Sequence, residues 1–224
     1  IANGYKQMDR GRYCGIIGSK RPDTPMPEWD GKAKGTILLY CDHGLGDQIH
    51  QVRYAKDLVA RGNKVVVCCT GMLAQLFSTI EGVSAVIQHG AEFGIFHDFW
   101  TYAMVVPYPL GYTMNDISGK LYIDRPTVIA GNKKRIGLRW QGSSRFEDDH
   151  NKKFPYELMF SAVKDASVEY EFISLQKDEG AGDAPLWVKT VPLDSWTDTQ
   201  RAIASCDLVI SSCTSVSHLS AAMG

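Results

Sequence analysis

Residues 36–70 read TILLYCDHGLGDQIHQVRYAKDLVARGNKVVVCCT, and this stretch decides the fold. Thr36 to Cys41 is a buried strand, followed by a glycine-bearing turn, His43-Gly44-Leu45-Gly46-Asp47. From Gln48 to Arg61 apolar residues recur at Ile49, Val52, Leu58 and Val59, the spacing of an amphipathic helix. Gly62-Asn63 stops that helix, and Lys64 to Thr70 forms a second short apolar strand. Strands that are apolar on both faces and alternate with helices predict a parallel sheet covered on both sides.

Working outward, a helix is expected at Leu73 to Ile80 and a strand near Ala85 to Gln88. Upstream, residues 1–30 are polar and carry Pro22, Pro25 and Pro27, an irregular lead-in. Downstream, 111–134 is rich in Gly, Asn, Asp, Lys and Pro and reads as a crossover or hinge. The pattern then restarts with a strand at Arg135 to Trp140, a polar loop from Gln141 to Lys153, and a helix at Pro155 to Lys164. A strand at Tyr170 to Leu175, a helix at Thr197 to Ser205, a strand at Asp207 to Ser211 and a helix from about Ser215 complete it.

The expected fold is therefore α/β, with two Rossmann-like domains facing a cleft. The expected boundaries are a lead-in at 1–30, an N-terminal domain at 31–125 and a C-terminal domain at 126–224. The second domain reaches only three or four strands before Gly224, which falls within a predicted helix, so truncation is expected. The chain opens on Ile1 rather than Met, so residues before it are also expected.

Lys plus Arg is 24 and Asp plus Glu 25, a balance that offers no attraction to nucleic acid or an anionic membrane. No apolar run reaches the length of a membrane span, and no secretory signal opens the sequence as it stands. Cysteines at 14, 41, 68, 69, 206 and 213 include no C-x-x-C pair, and several sit in apolar runs. A reduced, cytoplasmic protein is the expectation.

Three segments could carry chemistry. In the first, Gly44 and Gly46 allow close approach of a ligand to the backbone. Asp47 is then either a general base at a strand's carboxyl end or a helix cap, and the spacing alone favours the cap. A dinucleotide fingerprint would need a glycine where Ile49 stands and an acid where Cys69-Thr70-Gly71 stands, which disfavours a nicotinamide enzyme. The second segment, Ser211 to His218, places small hydroxyl residues after a strand, either a phosphate cradle or an ordinary cap. His218 on the following helix reads from the residues alone as a hydrogen-bonded packing residue. The third, Trp140-Gln141-Gly142-Ser143-Ser144 with Lys152-Lys153, could bring a cation to a leaving diphosphate or be a solvated loop. Asp148-Asp149-His150 are neighbours on one loop, which disfavours a shared ion, and no metal is expected.

Together these segments resemble the glycosyltransferase domain found after tetratricopeptide repeats in many bacterial proteins, related to the lipopolysaccharide heptosyltransferases. Pro27 to Gly31 (PEWDG) is similar to the family's P-x-W-D-G, and HGLGDQIHQVRY (43–54) to Q-G-L-G-D-x-I-x-F-x-R-Y. RIGLRWQG (135–142) matches K-V-G-L-V-W-A-G, and FISLQ (172–176) matches F-x-S-L-Q. Asp198-Thr199 with DLVISSCTSVSHLSAAMG (207–224) is similar to the family's ending. The resemblance runs over roughly residues 27–224.

The resemblance implies an inverting, metal-independent transferase of the GT-B fold, whose substrate is a nucleoside-diphosphate sugar and which needs no cofactor. The acceptor would be a carbohydrate or protein hydroxyl. It implies that Asp47 is the base and that Lys152 neutralises the donor phosphates. Thr214 and Ser215 would hold the diphosphate, with Ser143 and Ser144 near phosphate or sugar. Gln176, Cys213 and His218 fall at nucleotide or sugar contacts, and Gly44, Gly46 and Gly142 at close backbone approaches. Three departures stand out: Asp42-His43 replaces the usual Glu-Gln, Cys213 replaces an Asp, and the last strands and helix are absent. Because a thiol does not replace a carboxylate acceptor, a catalytically inactive binding or assembly module is the alternative.

Overall fold

A computed structural model describes residues 4, 21–129, 131–142, 154–177 and 179–224. The chain divides into two compact units, Ile1–Ile123 and Asp124–Gly224, each built on a four-stranded sheet.

In the first unit the elements are β1 (Thr36–Tyr40), α1 (Leu45–Gln51), α2 (Tyr54–Ala60), β2 (Lys64–Cys69), α3 (Gly71–Phe77), β3 (Val83–Gln88) and β4 (Phe99–Tyr102). All pairings are parallel and the order is β3-β2-β1-β4. Every residue of β1 is buried, as is all of β2 after Lys64, which is why these runs lack alternation. The single helix expected over 48–61 is instead two helices. The chain tightens at Val52–Arg53, where the Ala55 N–H bonds the Val52 carbonyl three residues back.

The lead-in does structural work at the sheet edge. Trp29 N–H donates to the Trp100 carbonyl (2.8 Å) and Trp100 N–H to the Pro27 carbonyl (3.2 Å), so residues 27–29 run along β4. The Trp29 indole is buried and donates to the Ala33 carbonyl (2.9 Å). Asp30 accepts the N–H groups of Lys32 and Ala33, both at 2.8 Å, and these bonds hold its carboxyl below the usual range. Gly31 has φ +84°, and a Cβ there would lie 2.6 Å from Pro109 Cβ. The PEWDG motif is thus a clamp that fastens the first strand's approach.

The second unit contains β5 (Arg135–Arg139), α4 (Tyr156–Val163), β6 (Glu171–Ser174), β7 (Val188–Thr190), α5 (Trp196–Ala204), β8 (Leu208–Ser211) and α6 (Ser215–Met223). Its strands are also parallel, in the order β7-β6-β5-β8. Its core joins Leu138, Trp140, Met159, Phe172 and Val188. Trp140 packs edge-on against Phe160 (5.1 Å), and Trp187 meets Phe160 and Phe172 (5.9 and 5.4 Å). Among the described residues no helix is long and apolar enough to cross a membrane.

Both sheets share one topology: the chain winds outward through three strands, then returns to the other side of the first. The reversal falls between β1 and β4 in one unit and between β5 and β8 in the other. In open α/β sheets the loops at the carboxyl ends of such strands diverge and leave room for a ligand.

Candidate functional site

In the first unit the turn after β1 is residues 41–44, and α1 starts at Leu45. His43 adopts φ 66°, the left-handed region that costs an ordinary residue about 1 kcal/mol. Its Nε2 lies 3.5 Å from Oδ2 of the buried Asp42. Two buried glutamines of α1 hold this shape. Gln51 accepts the Asp42 N–H (3.3 Å) and donates to the Asp42 carbonyl (3.4 Å). Gln48 donates to the His43 carbonyl (2.9 Å) and to Thr70 Oγ1 (2.8 Å), and accepts the Thr70 N–H (2.9 Å). The amide of Gln48 therefore ties the turn after β1 to the turn after β2.

Asp47 occupies the third position of α1 and is exposed; its Oδ2 accepts the Gly44 N–H at 3.1 Å. Among the described residues no other donor reaches this carboxylate. A Cβ on Gly44 would lie 3.0 Å from that same oxygen, so a side chain at 44 would crowd it. Gly46 lies within the first turn of α1.

In the second unit the turns after β5 and β8 flank the reversal. Gln176, only 4% exposed, accepts the N–H groups of Trp140 (3.3 Å) and Gln141 (3.2 Å) and donates to the Glu179 carbonyl (2.7 Å). Arg139 donates to the carbonyls of Gln141 (3.0 Å) and Leu175 (2.8 Å). These side chains set the path of the chain into Gly142. Ser143, Ser144 and Lys152 lie outside the described residues.

The turn after β8 is built by hydroxyls. Ser211 Oγ donates to the Ser212 carbonyl (2.7 Å) and lies 3.2 Å from Thr214 Oγ1. Thr214 begins α6, with its N–H donating to Ser217 Oγ (3.3 Å) and that hydroxyl donating back to the Thr214 carbonyl (2.6 Å). The cap satisfies Thr214, Ser217 and His218 N–H groups. Among the described residues the N–H groups of Cys213, Ser215 and Val216 take no acceptor. These open donors lie at the positive end of a nine-residue helix, where backbone N–H groups are able to accept an anion. Cys213 is exposed beside them, and His218 is half-buried on the first turn of α6.

The sequence reading singled out Asp47 and Thr214-Ser215 but passed over Gln48 and Gln51, which shape the turn before Asp47. Their signal was available: two glutamines three residues apart sit on the apolar stripe that includes Ile49 and Val52. Buried amides on such a face need backbone partners. Among the described residues no group of three or more His, Cys, Asp and Glu could hold a metal ion.

No protein-family profile matches the chain, and no curated relative matches it in sequence. Solved structures do. The Escherichia coli heptosyltransferase WaaC with ADP-2-deoxy-2-fluoro heptose superposes with a TM-score of 0.60 at 14% identity, covering 84% of this chain and 85% of that one. The E. coli ADP-heptose lipopolysaccharide heptosyltransferase II gives 0.59 at 13% identity, covering 85% and 82%. TibC, an iron-containing dodecameric glycosyltransferase of enterotoxigenic E. coli, gives 0.55 at 11% identity, covering 89% of this chain and 57% of that one. These likenesses show that the chain shares the α/β fold of these enzymes.

Proposed function

We propose that the chain moves a sugar from a nucleoside-diphosphate sugar to a hydroxyl acceptor by a single inverting displacement. The observation that carries this reading is the set of open N–H groups at Cys213, Ser215 and Val216, in the turn and first helical residues that follow β8, the strand at which the second sheet reverses. A fold neighbour, WaaC, was solved with ADP, a diphosphate of the class such a seat would hold. In this scheme the Asp47 carboxylate takes the acceptor's hydroxyl proton as the acceptor oxygen bonds to the anomeric carbon. The anomeric bond to the diphosphate breaks at the same time, and its electron pair leaves with the nucleoside diphosphate. Configuration inverts because entry and departure are on opposite faces. The growing charge on the leaving group is met by the α6 amides, the helix dipole and Lys152, with no metal required.

The donor would carry a hexosyl or heptosyl sugar, and the acceptor would be a carbohydrate or a protein, as for the domains that follow tetratricopeptide repeats. The cysteines at 41, 68, 69, 206 and 213 are free thiols, in keeping with a reduced cytoplasmic setting. A panel of nucleotide sugars tests the reading against Asp47→Asn. Turnover falling by about 100-fold or more in a folded variant is expected, and equal turnover removes Asp47 from the mechanism.

One observation favours a second reading, a binding or assembly module without transfer. Cys213 is exposed on the anion-seat turn where the resembling family carries an Asp, and a thiol is a poor hydrogen-bond acceptor for sugar hydroxyls. Nucleoside diphosphate binding by calorimetry, with neither transfer nor donor hydrolysis across the panel, would favour that reading.

A further inference from the structure

A recess of about 490 Å³ opens in the second unit where its strands begin, lined by residues 125–128 and 131–135 on one side and 204–207 on the other. Because β5 and β8 run parallel, this is the end of the sheet away from the turn before α6, with roughly 15 Å of strand between them. Of the described charged residues that line it, Arg125, Lys133, Lys134 and Arg135 are cations and Asp207 is an acid. Positive charge gathered on a concave wall raises the local potential that attracts an anion.

Both guanidiniums are placed by the residues of this wall. Arg125 donates through Nη2 to the carbonyls of Ala204 (3.1 Å) and Cys206 (2.7 Å), and through Nη1 to that of Gly224 (3.3 Å). It thereby caps the carboxyl ends of α5 and α6. Carbonyls orient a guanidinium without cancelling its unit charge, and a fork with five N–H groups keeps donors beyond these bonds. The Arg135 guanidinium lies over Gly131, where a Cβ would come 3.2 Å from Nη2. Its Nε pairs with Glu171, a carboxylate that Lys189 shares. The two arginine charges meet at Cys206: burial pushes that thiol up, and the Ser205 hydroxyl, Arg135 and Arg125 oppose the rise. Lys134 is exposed, and Pro126 and Val128 add an apolar strip to the same recess.

We propose that this recess binds a small phosphate ester, its phosphate received by Arg125, Lys134 and Arg135 and its carbon frame lying along Pro126 and Val128. Several cations on one wall favour a doubly charged group over a carboxylate, and the guanidinium fork matches the spacing of phosphate oxygens. The volume falls within the range of ligand pockets and admits a sugar phosphate. The inference does not rest on the transferase reading, whose diphosphate meets the other end of the sheet.

The test titrates glucose 6-phosphate into the full chain, with glucose as its uncharged counterpart, and follows the backbone amide resonances by NMR. Saturable binding at about 1 mM is expected, at least about tenfold tighter than glucose, with shifts at residues 131–135 and 204–207. Inorganic phosphate should displace the sugar phosphate at about 20 mM or below. Arg135→Gln should weaken binding by about tenfold and Lys134→Gln by about threefold. Equal affinity for glucose, no saturation by about 20 mM, no displacement by phosphate, or undiminished binding to both variants overturns the inference. Shifts confined to residues 213–216 overturn it too, because they place the ligand at the start of α6. Should Arg135→Gln fail to fold, Lys134→Gln, at an exposed position, and the charged and uncharged probes on the natural chain decide the matter.

Discussion

Replacing Gln48 with Leu keeps the volume of a fully buried side chain and removes its amide. Three hydrogen bonds disappear: those to the His43 carbonyl, to Thr70 Oγ1 and from the Thr70 N–H. Each is worth about 1 kcal/mol net. His43 is exposed, so its carbonyl can turn to water and recover part of the loss, whereas Thr70 is half-buried and recovers less. The expected destabilisation is about 2 kcal/mol, roughly a 30-fold change in the folding equilibrium. For a unit of this size that lowers the melting midpoint by about 8 °C. Urea titration with circular dichroism measures it, and Thr70→Val in the same background supplies the double-mutant cycle. Coupling between the two positions should be about 1 kcal/mol. A Gln48→Leu chain within about 0.5 kcal/mol of the natural one would refute the claim that this amide holds the turns together.

Other outcomes follow from the same geometry. Gly31→Ala should cost about 2 kcal/mol or more, read from the same urea curves, because the new methyl meets Pro109 at a backbone angle alanine resists. Asp30 and Asp198 are held below the ordinary carboxylate range, Asp30 by the N–H groups of Ala33 and Lys32 and Asp198 by the Ser195 hydroxyl and N–H. A depressed carboxyl contributes stability above its unfolded value, about 4. That contribution is lost as pH falls through the folded value, so the Asp30→Asn, Asp198→Asn pair should flatten the acid limb of a stability–pH profile. Among the described cysteines, Cys213 should be alkylated first by iodoacetamide at neutral pH. Cys41, Cys68 and Cys69 are buried, with burial pushing all three thiols up, Cys69 to about 12. On the proposed function a nucleoside diphosphate should slow Cys213 labelling, and peptide mapping by mass spectrometry reads each site separately.

The strands at the middle of both sheets were legible because burial on both faces leaves an unbroken apolar run, as in TILLY and VVVCC. Of the edge strands, β3 and β8 were legible, but β4 and β7 were not. Phe99–Tyr102 merges into a longer aromatic and aliphatic stretch with no turn signal to bound it, and Val188–Thr190 has two of its three residues exposed. The break between α1 and α2 carries no Gly or Pro, so helical spacing alone ran the two together. At the candidate site the glycines and hydroxyl cluster announced backbone approaches, but the work of Gln48, Gln51 and Gln176 was hidden. Gln48 and Gln176 reach residues far away in sequence and Gln51 reaches back nine residues to Asp42, and a glutamine's spacing does not reveal which backbone groups it will meet. Asp47 read as the cap residue itself, whereas the structure sets it three positions into the helix, bonded back to Gly44.

The segment that runs beside Trp100 also covers part of a margin that an open sheet would otherwise leave unpaired. By occupying the N–H and carbonyl of Trp100, Pro27 and Trp29 withdraw from neighbouring molecules the outward backbone groups at the centre of β4. Proteolysis between Glu28 and Trp29 would free that margin to recruit a strand from another copy, turning a modest clip at the front of the chain into a route to aggregation.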